Sequence, residues 1–415
     1  MGRFVKGESG RVDWWFPGVV VLAALALFAL PFGTSVFAPL ALLAFLGIAL
    51  LVTRCGVLWR EPWIRWAFLL LLALWVPQLM ALSVAVDFDR ALRTALTYPL
   101  FAIAVIPILW VARRRDIAIP VLYVVLALAV FWSLDGLLQF FSGSNILGYP
   151  YNGRRIDGLF HPNMRLGIVL AHFLPFVLEA SRRLASSSRL ALLLPLIVIV
   201  AIVLSGSRAA MLATLVTVVA YGVFLVWFYR LRPRVVGVLV GMLAVGVAAA
   251  LWVSPETRDR LAVVTQMSDF SIEGLDAATA RRGTIWFASW QVAKDEPILG
   301  VGVRGVEPVA HARGYTDMSF SHIHLYFMDV LVSTGIVGLV AYLAALVGIL
   351  WALWRGARRG LREARPDFVV GAVAIFVALN PLNVHWTLYS SYSTAVLWLV
   401  VALALTPIVY RQTNR

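Results

Sequence analysis

The chain has 415 residues, of which 61% are hydrophobic and 13% charged, with a mean hydropathy of +0.88. A soluble domain carries about 25% charged residues, so this composition excludes a soluble globular enzyme and points to a polytopic membrane protein. The formal net charge of +14 would suggest a nucleic-acid partner in a soluble chain, but in a membrane protein the positive-inside rule accounts for it.

Apolar runs of about 20 residues recur along the chain, each long enough to cross a bilayer as a helix. The first, WWFPGVVVLAALALFALPF (Trp14 to Phe32), follows a basic start. It is long, lacks a clear small-x-small cleavage site and precedes many more spans, so it reads as a retained helix rather than a signal peptide. The expected fold is all-α, with about twelve transmembrane helices at 14–32, 36–53, 64–84, 96–112, 118–142, 164–181, 189–204, 209–229, 235–253, 323–354, 368–386 and 391–410. The tenth is overlong and is expected to begin outside the hydrocarbon. With both termini cytoplasmic, every cytoplasmic connection is basic, from Arg54, Arg60 and Arg65 through Arg182 and Arg183 to Arg355, Arg358 and Arg359. Residues 1–415 read as a single membrane domain, and residues 254–321 as one large external loop between spans nine and ten. Internal repeats are not evident, which weakens an inverted-repeat transporter. The cytoplasmic connections are too short to hold a nucleotide-hydrolysing domain.

Arginines at the external helix mouths need a reason, because the orientation rule does not ask for them: Arg90, Arg93, Arg165 and Arg208. A guanidinium beside hydrocarbon is costly unless it snorkels, pairs with a loop carboxylate or meets an anion, and its planar fork of donors suits phosphate. In chain order, YNGRRIDGLFHPNMRLG (Tyr151 to Gly167) gathers Arg154, Arg155, Asn163 and Arg165 before span six. These groups suit sugar hydroxyls or phosphate, or simply a polar re-entry loop. VLSGSRAAMLATLV (Val203 to Val216) sets Arg208 at a turn that opens a helix, an anion-binding arrangement or an N-cap with a snorkelling arginine. TARRGTIWFASWQVAKDEPILGVGVRGVEP (Thr279 to Pro308) reads as an interfacial helix from Arg282, with Arg281 before it and Trp286 and Trp290 four residues apart. Its GVGVRG matches a dinucleotide fingerprint by letter only, since no strand precedes it, so it reads as a turn and no cofactor is expected.

The chain has six histidines, and SFSHIHLYFMDVLVSTGIVGL (Ser319 to Leu339) places His322 and His324 one residue apart at a helix mouth. In a helix they would point about 200° apart; in an extended segment they would share a face. Asp317 and Asp329 lie near, but a full ligand set is lacking and no metal is expected. An imidazole at that boundary suits proton transfer. Asp135 and His172 sit at matching depths inside the predicted spans, as a structural pair or, with Asp329, as the groups a proton-coupled transporter or lipid-glycan flippase would need.

Three ordered stretches, SGSRAAML, RGTIWFASWQVAKDEPILGVG and HIHLYFMDVLVSTGIVGL, resemble the bacterial O-antigen ligase and Wzy-type polymerase superfamily. The matching positions are Arg208 with Leu212, Arg282 with Trp286, Pro297, Gly300 and Gly302, and His324 with Gly335 and Gly338. GLFHPNMRLG adds Pro162 and Asn163. The chain departs from the pattern at Leu325, where asparagine is common, and at Ser333, where an acid is common. The resemblance implies a metal-independent, inverting glycosyltransferase of the GT-C type in the bacterial inner membrane, working in lipopolysaccharide biosynthesis. Its donor would be a glycan on undecaprenyl pyrophosphate and its acceptor a sugar hydroxyl of lipid A–core at the periplasmic face. His324 would act as general base, and Arg208 and Arg282 would stabilise the departing pyrophosphate. Arg90, Arg93, Arg154, Arg155, Asn163, Arg165, Arg281 and His322 would bind substrate. A polymerase of the same superfamily is the alternative, and a transporter or flippase the alternative from another class.

Overall fold

A computed structural model describes residues 15–114, 116–229, 272–279, 281–360, 364–384 and 386–413, with scattered positions between 237 and 258. Most of the predicted span at 235–253 and most of the first part of the external loop therefore lie outside the described residues. Among the described residues the regular structure is helical, apart from one isolated antiparallel bridge between Ser144 and Pro150. It is a multi-pass membrane protein. The helices are α1 (Trp15–Phe28), α2 (Phe37–Leu58), α3 (Pro62–Ala81), α4 (Phe88–Ile103), α5 (Val105–Ala112), α6 (Ala118–Ser142), α7 (Leu166–Leu184) and α8 (Leu194–Leu204). There follow α9 (Arg208–Tyr229), α10 (Ile272–Thr279), α11 (Arg282–Asp295), α12 (Val306–Ala312), α13 (Tyr326–Arg359), α14 (Arg365–Leu379) and α15 (Ser391–Thr413).

Seven described segments are long and apolar enough to cross a membrane: Leu30–Leu58, Pro62–Val84, Phe88–Ala112, Ala118–Ser142, Arg208–Trp227, Tyr326–Arg359 and Ser391–Arg411. The predicted spans at 14–32 and 189–204 appear as shorter apolar helices, Phe16–Phe28 and Arg189–Leu204. The span expected at 164–181 is α7, which is buried almost throughout by its neighbours and ends in Glu179, Arg182 and Arg183. The one expected at 368–386 is α14, which stops at Leu379 because Asn380 is extended and Pro381 follows. A proline disfavours helical backbone in the residue before it.

Opposite the site, Glu179 is 1% exposed and accepts hydrogen bonds from Arg182, Arg183 and Tyr221. Arg183 and Arg411 both reach the buried Asp367. This network ties α7, α9, α14 and α15 at one end, and a buried charge is tolerable only when it is paired in this way.

The overlong helix α13 has a physical explanation. Gly335 (φ 65°, ψ −167°) breaks it after three turns, leaving amides and carbonyls without intrahelical partners. The loop after α11 supplies them: Ile336 N donates to Pro297 O at 2.8 Å, and Val301 N donates to Val332 O at 2.9 Å. A Cβ on Gly335 would run into the Ile298 carbonyl, and one on Gly300 into the Val332 carbonyl. These two glycines therefore dock the extramembrane segment onto the bundle. Gly335→Ala must fit a side chain at positive φ against fixed backbone, and is expected to destabilise by about 3 kcal/mol or more. Thermal unfolding of the purified protein in detergent measures this, and an unchanged midpoint would show that the docking is dispensable.

Candidate active site

At one end of the bundle four segments meet: the α8–α9 turn, the stretch before α7, the α11–α13 segment and the stretch between α14 and α15. At the first, Ser205 Oγ donates to Ile202 O at 2.6 Å, and Ser207 Oγ accepts from Ala210 N at 3.3 Å, an N-cap that starts α9. Arg208 is thereby the first residue of the helix. Gly206 lies against Arg155, whose Cγ would be 3.1 Å from a Cβ on that glycine, so the turn carries a second arginine above it.

Helix α11 brings the next cation. Arg282 Nη1 donates to Val384 O at 2.6 Å. Burial holds its proton affinity below the usual guanidinium value, and the neighbouring charge of Arg208 lowers it further. Two half-buried guanidiniums from different segments thus lie within electrostatic reach of one another, an arrangement that favours an anion beside both. One turn along α11, Trp286 Nε1 donates to Ile323 O at 3.0 Å and pins the residue before His324. The first amides of α13 are satisfied by the same stretch that holds Arg282: Tyr326 N donates to Asn383 O and Phe327 N to Pro381 O.

His322 and His324 lie in an irregular segment just before α13, with Leu325 extended and His324 at φ 55°. The backbone therefore turns both rings to one side, with centroids 5.8 Å apart and planes nearly perpendicular. Arg304 donates to Ser321 O at 2.7 Å and to Nδ1 of His322. Burial, then the charge of Arg304, push the His322 pKa down to about 4. His322 lines a cavity of about 430 Å³, together with Arg90, Arg304, Glu307, Asp329 and Tyr389. That volume suits a sugar ring or two.

A basic turn at a helix start, a half-buried arginine that feels its charge, a histidine at the mouth of a glycine-broken helix: these lie within one continuous stretch of the chain. Residues 190–343 match the O-antigen ligase family model. A comparison with curated proteins finds no match. The O-antigen ligase match includes Arg208, Arg281, Arg282, His322, His324, Gly335 and Gly338, and the three stretches that carry the resemblance all fall inside it. Arg90, Arg93, Arg154, Arg155, Asn163 and Arg165 precede it.

The remaining expected residues are scattered around this centre. Arg165 lays its guanidinium 4.0 Å from the Tyr392 ring centroid, and its charge reaches His322. Asn163 is exposed and lines a second cavity of about 480 Å³ with His161, Arg165 and Tyr392. Arg90 pairs with Asp87 at 3.6 Å at the rim of the first cavity. Arg93 is exposed and does not line either cavity, Arg154 is exposed, and Arg281 is exposed on the left-handed residue that precedes α11. Asp135 and His172 do not pair with each other. Asp135 accepts from Ile146 N at 2.9 Å, whereas His172 bonds Ile168 O at 2.7 Å and stacks on Trp386. Asp329 accepts from Thr387 and from Leu388 N and lines the first cavity.

Arg304 is a site residue that sequence reasoning does not find. GVGVRG is a turn, as expected, with Gly300, Gly302 and Arg304 all at positive φ, but that turn aims its arginine at His322. Among the described residues, no group of three His, Cys, Asp or Glu side chains converges as metal ligands.

Proposed function

We propose that this chain is a membrane glycosyltransferase acting as an O-antigen ligase. It moves a glycan from undecaprenyl pyrophosphate to a sugar hydroxyl of lipid A–core. In this reading the whole chain works as one unit in the bacterial inner membrane, with twelve passes, both termini cytoplasmic and the site on the periplasmic face. The observation that carries the reading is the pair Arg208 and Arg282, from separate segments but within reach of each other's charge, with the Arg282 helix bonded beside His324. Like charges held close repel, an anion that joins them relieves the repulsion, and a departing diphosphate is such an anion.

In the proposed step, the acceptor hydroxyl oxygen attacks the anomeric carbon from the face opposite the diphosphate, so configuration inverts. His324 takes the hydroxyl proton as the new C–O bond forms. The anomeric C–O bond to the diphosphate breaks, and its electron pair leaves with undecaprenyl pyrophosphate, where Arg208 and Arg282 meet the growing charge. This is work a divalent metal would otherwise do. His324 then returns its proton to water. The prenyl tail stays in lipid, which explains a site at helix mouths.

Reconstitution of the purified protein with an undecaprenyl-pyrophosphate glycan and lipid A–core, with EDTA present, tests this. Glycan on lipid A–core is the expected product. Longer glycan left on the undecaprenyl carrier would make the protein a polymerase, and loss of turnover in EDTA would overturn the arginine-for-metal argument. Verified substrates with no transfer in either direction would sink the enzyme reading.

A further inference from the structure

In the turn that carries Arg304, backbone and side chain make different contacts. Gly300 and Gly302 make the backbone contacts with α13 and with Ala85, and Arg304 reaches forward to the histidine segment. Its guanidinium donates to Ser321 O and to Nδ1 of His322; burial lowers its proton affinity, and the nearby Asp329 acts in the opposite direction. A guanidinium has donors only and keeps its proton, so Nδ1 of His322 must be the acceptor. The single ring proton of His322 is then fixed on Nε2.

We propose that Arg304 is a positioning residue, which locks His322 as a neutral, Nε2-protonated hydrogen-bond donor to the sugar in the 430 Å³ cavity and leaves His324 as the only base of the pair. The inference rests on the glycosyltransferase reading and assigns the two histidines different work. Without the lock, two imidazoles with ring centroids 5.8 Å apart would compete for one proton, and the pair would be partly charged in the range where His324 must be neutral. The charged and titratable groups that face His322 come from every surrounding element. Arg304 belongs to the turn before α12, Arg165 to the stretch before α7, and His324 to its own segment. Arg90 of α4, Glu307 of α12, Asp329 of α13 and Tyr389 before α15 share its cavity. Burial and the adjacent cation act in the same direction on His322, which agrees with a ring that stays neutral.

Replacing the cation with a neutral group of similar length removes a positive charge beside His322, so its affinity for a proton must rise. In Arg304→Gln the acid limb of transfer is expected to move up by about one pH unit, lowering the rate about tenfold below that limb. Arg304→Lys, which keeps the charge and a donor, is expected to restore the wild-type profile. Adding His322→Asn to Arg304→Gln is expected to remove most of the shift, because the group that gained the proton is gone. A shift that persists in the double variant would mean that Arg304 acts on His324 directly, and would overturn the lock. Nitrogen NMR of the full-length protein labelled at histidine, with His322→Asn for assignment, reads the tautomer without any substrate. A protonated Nε2 and bare Nδ1 at neutral pH are expected. A charged or Nδ1-protonated His322 would overturn the inference even if transfer is normal. The expected tautomer with no transfer would instead count against the glycosyltransferase reading alone.

Discussion

Replacing His324 with alanine is expected to lower the transfer rate by about 10²–10⁴-fold, the range set by losing a positioned general base. The prediction is specific to this histidine because its neighbour cannot take over: His322 already accepts from Arg304 at Nδ1 and is held neutral by burial and by that charge. His324 occupies left-handed backbone at φ 55°, a region that asparagine tolerates better than most residues. His324→Asn therefore keeps the backbone while removing the base, and is expected to be as inactive as the alanine variant. If His324→Asn transferred glycan within about threefold of wild type, the base would have to be sought elsewhere. His324→Gly with added imidazole gives a further check, since a free base in the vacated space should return part of the lost rate. His322→Asn keeps the base and loses one hydrogen bond to substrate, so its loss is expected to stay near tenfold.

Much of this arrangement is legible in the amino-acid sequence, and what is legible and what is not divide on physical grounds. Spacing of apolar runs reveals membrane helices because hydrocarbon admits few alternatives to them. It overstates α14, which ends early at Asn380–Pro381, and it treats α7 like a lipid-facing span although its neighbours bury it. The overlong α13 stands out by length, but the break at Gly335 and the loop that fills it depend on contacts far apart in the chain, such as Ile336 with Pro297 and Val301 with Val332. Whether His322 and His324 share a face is undecidable from spacing alone, since it turns on one left-handed residue. Matching depth is a poor guide for Asp135 and His172, because depth says nothing about the direction a side chain takes around its helix. Arg304 is hidden for a related reason. Inside a glycine turn an arginine carries no periodic signal, and only the docking of that turn brings it to His322.

The two arginines lead to the other large effect. Arg208→Gln or Arg282→Gln is expected to lower kcat by about 10²–10³-fold, the cost of removing one donor from a charge developing in the transition state. The two losses should not add. Burial, and then the charge of Arg208, lower the proton affinity of Arg282, and in the proposed step both guanidiniums act on one diphosphate. A role in holding the diphosphate also sets an expectation that can be read without turnover. Inorganic pyrophosphate separates this from a merely structural role. It should raise the unfolding temperature of the wild type by binding the folded site and leave the double variant unmoved. A double variant that pyrophosphate stabilises as well as wild type would place the anion somewhere else, and the two arginines would then be helix-mouth cations with no part in the reaction.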